Sequence, residues 1–119
     1  MELLHKIRSL SEKYSNEVVE SRRHLHANPE LSYQENNTVK FVAEKLRSFG
    51  VTAQKEIATT GLIAEITGRN PGSKTIALRA DMDALPIQEA NDVSYKSKNA
   101  GVMHACGHDV HTASLLGTA

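Results

Sequence analysis

The sequence has 119 residues, 39% of them hydrophobic and 24% charged, with 14 lysines and arginines against 14 aspartates and glutamates. This suits one small globular domain and excludes a disordered chain driven apart by net charge. No block of like charge forms a nucleic-acid footprint, no apolar run nears the ~18 residues of a membrane span, and a single cysteine allows no internal disulfide.

Leu3, Ile7, Leu10, Tyr14, Val18, Arg22 and Leu25 recur at spacings of three and four, which predicts a helix through the first 26 residues. Pro29 stops it, because the residue before a proline avoids the helical region. Met1 to Lys6 lacks the apolar core of a signal peptide. With a thiol to keep reduced, the expected location is the cytoplasm. The cluster Arg22-Arg23-His24 reads as a solvated helix end, where positive charge suits the dipole, rather than as an anion site.

A second helix is predicted from about Glu35 to Phe49, with Val39, Val42, Ala43 and Leu46 on its apolar face and Gly50 as its C-terminal cap. Val51 to Ile57 reads as a strand. Residues 62–67 and 75–80 read as a hairpin across the turn Arg69-Asn70-Pro71-Gly72-Ser73. Ile87 to Ala100 reads as irregular, and a last helix is predicted from near Asp109. Helices and strands in this order predict an α/β domain, in which site loops gather at the carboxyl ends of strands.

Two segments carry the chemistry. Gly101 to His111 packs the only cysteine, three of the six histidines and an aspartate together. Cys106 and His108 flank Gly107, whose backbone freedom lets both turn toward one ion, and thiolate with imidazole suits a borderline metal such as zinc. Equally, a lone cysteine can be a small buried hydrophobe and a histidine near a helix start a capping residue. Upstream, Asp81 and Asp83 alternate on a strand-like segment and share a face, which asks for a cation or basic partner. Backbone amides or Arg79 could also satisfy them. His104 and His111 fit a role in orienting ligands through hydrogen bonds, and Asp109 fits either that role or the helix N-cap. A cysteine nucleophile at Cys106, with a histidine base and an orienting acid, is the competing chemistry.

The segments Arg79-Ala80-Asp81-Met82-Asp83-Ala84-Leu85-Pro86 and Met103-His104-Ala105-Cys106-Gly107-His108-Asp109-Val110-His111-Thr112-Ala113 closely resemble the amidohydrolase branch of the aminoacylase/carboxypeptidase metallopeptidase family. Arg22 to Ser32 resembles the N-terminal signature of the same branch. The resemblance implies a zinc-exopeptidase-like catalytic domain with two divalent ions (Zn, Mn, Co or Ni). It also implies a smaller lid and dimerisation domain, a homodimeric parent and hydrolysis of N-acyl amino acids. Cys106 and His108 match metal ligands. Asp83 matches the acid that orients a ligand or tunes the site, counted here as catalytic. Asp81 stands where the wider family has histidine, and Cys106 where it has a bridging aspartate.

The family's glutamate pair and two further metal-binding histidines find no match before Ala119. Residues 1–119 are therefore expected to be the N-terminal portion of the catalytic domain, inactive alone, with no nucleic-acid or membrane partner. The alternative is a truncated, non-catalytic relative acting as a weak metal-binding or interaction module.

Overall fold

The computed structural model describes residues 2–119. In chain order the elements are α1 (Glu2–Ala27), α2 (Asn36–Ser48), β1 (Gln54–Ile57), β2 (Gly61–Ala64) and α3 (His108–Thr118). The three expected helices are present. The apolar stripe of α1 is used only toward its C-terminal end: Ser21, Leu25, His26 and Ala27 are buried, while Leu3 and Ile7 remain 71% and 51% exposed. No helix among the described residues is long and apolar enough to cross a membrane.

The connection from α1 to α2 is held by a side chain rather than by a conventional cap. Glu35 occupies the N-cap position of α2 without capping it. Instead Glu30 reaches across to accept the backbone N–H of Thr38 at 2.6 Å and of Asn37 at 3.2 Å, two of the donors a helix start leaves open. At the other end Gly50 takes φ +86°. Its N–H bonds to the Arg47 carbonyl and that of Val51 to the Leu46 carbonyl, both at 2.9 Å, the 5→2 and 6→1 pair of a Schellman motif. Leu46 and Val51 then pack with Leu116 of α3 as the central core cluster, with Phe41, Val42, Leu62 and Ala64 against it.

The hairpin differs from the expectation. β1 pairs antiparallel with β2, from Gln54 opposite Ala64 to Ile57 opposite Gly61. The turn between them runs through Ala58 and Thr59, both at positive φ, rather than through the Asn70-Pro71-Gly72 turn. Residues 75–80 pair with no strand among the described residues; Ile76 and Leu78 are 81% and 63% exposed. High strand propensity forms a strand only when a neighbour supplies the ladder, and none of these residues does so here.

The irregular course after β2 is pinned at a few points that decide where the site residues lie. The Ala84 N–H bonds to the Glu30 carbonyl at 2.8 Å, and Leu85 and Met103 exchange two backbone bonds at 2.9 and 3.0 Å. These bonds fix the Asp81–Asp83 segment beside the loop that opens α3.

Candidate functional site

Gly107 sits at the N-cap of α3 with φ 120°, a conformation that side-chain-bearing residues rarely adopt. This turn separates the exposed, free Cys106 from His108, whose side chain is 19% exposed. His108 Nδ1 lies 2.9 Å from the Asp83 carbonyl oxygen and 2.9 Å from Asp83 Oδ1. Both are acceptors, so Nδ1 carries the hydrogen and the Nε2 lone pair stays free. Nε2 faces the Asp81 carboxylate, 3.8 Å from Oδ2. Asp81 is also paired with Arg79 at 2.8 Å, and its carbonyl accepts the Thr112 hydroxyl at 2.9 Å. The His111 ring lies 5.6 Å from that of His108 and is exposed.

Behind this loop lies a buried ionic network that the sequence reading missed. Asp109 is 1% exposed and is not the N-cap of α3, which is Gly107. Its Oδ2 accepts Arg22 Nε at 2.9 Å and His26 Nδ1 at 2.7 Å, and its Oδ1 accepts the Val110 N–H at 2.9 Å. His26 Nε2 lies 3.1 and 3.2 Å from the two oxygens of Glu89. Tyr95 closes the outside, with the Arg22 and Arg23 guanidinium groups over its ring at 5.3 and 4.9 Å. The expectation of a solvated end at Arg22 is corrected: it joins α1 to α3. The clue in the sequence was Arg22's place in an otherwise apolar stripe, since a charge on a buried face requires a partner.

Glu89 is the acceptor that anchors the far end of this network. Burial opposes its charge. The Ser97 N–H at 2.7 Å, His26 and the Asn91 amide outweigh that and hold its carboxyl down at about 2, against an ordinary 4.5. A depressed folded-state value contributes stability that is complete above 4.5 and is lost as pH falls toward 2. Urea unfolding of wild type and Glu89→Gln across that window is therefore expected to show a shallower loss in the variant; parallel curves would remove Glu89 from the acid response.

His104 is 5% exposed, and neither ring nitrogen has a hydrogen-bond partner. Burial holds its pKa below the ordinary histidine value, with the Asp109 and Asp83 charges opposing it. His104 is thus a buried ring without a hydrogen-bond partner, 6.5 Å from the His26 ring of the network.

The donors present suit a divalent metal as far as they go. His108 has one nitrogen tied to a carboxylate and the other free, the arrangement by which ligating histidines are oriented and made more basic. Cys106 offers a sulfur donor two residues away. Among the described residues, however, no group of three or more His, Cys, Asp or Glu side chains is gathered to hold an ion.

Residues 77–119 match the model of Peptidase family M20/M25/M40. The chain is 54% identical over 113 residues to an N-acyl-L-amino acid amidohydrolase of Geobacillus stearothermophilus, an overlap of 95% of this chain and 30% of that protein. It is 49% identical over 120 residues to thermostable carboxypeptidase 2 of Saccharolobus solfataricus, covering 100% of this chain and 30% of the relative. Among solved structures, the Bacillus subtilis YXEP protein, described as a dinuclear metal-binding peptidase from the M20 family, superposes with a TM-score of 0.83 at 46% identity, over 90% of this chain and 30% of that one. The mixed helix and strand architecture is thus similar to part of that M20 structure, and the chain spans about 30% of the length of the relatives it matches.

Proposed function

We propose, for a chain that resembles the amidohydrolases of peptidase family M20/M25/M40 along its length, that it forms the N-terminal portion of a metal-dependent catalytic domain. The whole protein would hydrolyse the amide bond of N-acyl amino acids. The observation that carries this reading is the His108 ring, tied at Nδ1 to Asp83 at 2.9 Å, with its free nitrogen turned toward Asp81 and a cysteine two residues before it. Cys106 and His108 would hold metal, and Asp83 would orient His108. A divalent cation supplies Lewis acidity to a carbonyl oxygen and to a water molecule. The residues of this chain would orient its ligands: Asp83 holds the His108 imidazole, and Thr112 ties the Asp81 backbone to the first turn of α3.

In this reading the remaining ligands and the general base lie outside these 119 residues, so the chain alone is expected to turn over no N-acyl amino acid. The relative named for N-acyl-L-amino acids supports that substrate class. The relative named a carboxypeptidase marks peptides as the comparison substrate.

The test is a chimera in which residues 1–119 replace the matching region of the Geobacillus amidohydrolase. It is expected to hydrolyse N-acetyl and N-benzoyl amino acids, to lose activity to a chelator and to regain it with added divalent metal. Cys106→Ser and His108→Ala should each lower kcat/KM by orders of magnitude. A folded, metal-loaded chimera without amide hydrolysis would refute the reading.

A further inference from the structure

The structure assigns His26 a positioning role: from the end of α1 it clamps Asp109 in the first turn of α3 and so fixes the direction of the Cys106–His108 loop. This rests on the proposed function in that the loop is read as metal-bearing. The clamp itself stands on geometry.

His26 is 3% exposed and uses both ring nitrogens, 2.7 Å from Asp109 and 3.1 Å from Glu89. With a carboxylate within hydrogen-bond distance of each nitrogen, the ring is held from both sides. Glu89 is itself fixed by the Ser97 N–H at 2.7 Å and Asn91 Nδ2 at 3.2 Å. Arg22 adds a second donor to the same Asp109 oxygen.

Asp109 follows His108 directly, so consecutive residues are held from opposite sides: Asp109 by α1, and His108 by Asp83 at 2.9 Å. The turn they hold passes through Gly107 at φ 120°, where a glycine lets the backbone reach many other conformations. A loop that turns on glycine needs its direction set by its neighbours.

The experiment compares the 119-residue chain with His26→Gln, whose amide can donate from one end only. The metal-free readouts are amide hydrogen exchange and the alkylation rate of Cys106; the metal readout is a cobalt titration followed by thiolate absorption. The expected result is exchange faster by about tenfold or more confined to residues 104–112, faster alkylation, and unchanged protection in α2. Cobalt affinity should fall about tenfold, the lower end for losing an outer hydrogen-bond partner. Exchange that rises equally in α2, or does not change, overturns the proposal. If His26→Gln fails to fold, Arg22→Met, which removes the second donor at a half-buried position, must show the same local pattern or the clamp is rejected. Absence of cobalt binding by wild type would count against the metal reading alone, and the exchange pattern would still decide the clamp.

Discussion

Asp109→Ala is expected to cost about 3–5 kcal/mol, the range for breaking a buried ion pair by removing one partner. Asp109 is the single carboxylate shared by Arg22 and His26, and its side chain is 1% exposed. Removing it takes away the carboxylate that accepts from both donors, while the Val110 N–H keeps the Gly107 carbonyl at 3.0 Å. Arg22, at 31% exposure, can turn toward water. His26, at 4%, cannot, and its Nδ1 keeps only the Arg22 guanidinium, itself a donor, at 3.4 Å.

Folded domains hold only about 5–15 kcal/mol in total, and among the described residues only Leu25, Val39, Leu46, Val51 and Leu116 are buried hydrophobics larger than alanine. The loss should therefore remove much of the cooperative urea transition followed by circular dichroism. The control has the same pairing chemistry with the opposite surroundings. Arg79 and Asp81 lie 2.8 Å apart with side chains 88% and 43% exposed, and exposed pairs contribute about 0–1 kcal/mol. Arg79→Ala should shift the midpoint little. An Asp109→Ala loss below about 1 kcal/mol would mean that the network is not holding α1 to α3.

Where local chemistry decides, the sequence was readable. Pro29 and Gly50 bound α1 and α2, and Gly50 does so through two backbone bonds whose partners lie within five residues. The hairpin was misassigned because its real turn uses Ala58 and Thr59 at positive φ, which no turn residue announces, while Asn70-Pro71-Gly72 announces a turn that joins no strands. Thr75 to Leu78 has the composition of a strand, yet a strand is a property of a pair. The carboxylate pair and the Cys106–His108 loop were legible because their spacing is short. The Arg22–Asp109 and His26–Asp109 contacts were not, since their partners lie 87 and 83 residues apart. At that distance only a misfit signals the contact, here a charged residue in the apolar stripe of α1.

Asp83→Ala is the substitution that tests how the site works, and its expected effect is about tenfold weaker cobalt binding. Loss of a carboxylate behind a ligating histidine costs about 10–100-fold in general. Two features place this site at the lower end. His108 Nδ1 is equidistant, at 2.9 Å, from the Asp83 side chain and the Asp83 backbone carbonyl, so removing the side chain leaves an acceptor that can keep the ring in the same tautomer. The Asp83 side chain is also 29% exposed, and solvent weakens its charge. What the backbone carbonyl cannot replace is the negative charge that makes the imidazole a better donor to a cation.

Asp83→Asn separates the two contributions, since it keeps an acceptor oxygen and removes the charge. If orientation dominates, Asn binds cobalt as wild type does. If charge dominates, Asn falls with Ala. The retained carbonyl makes orientation the redundant part, so Asn is expected to follow Ala. A competition titration reads each tenfold step as about 1.4 kcal/mol. A hundredfold loss in Ala would show that the backbone carbonyl does not hold the ring by itself, and no loss in either variant would remove Asp83 from the site.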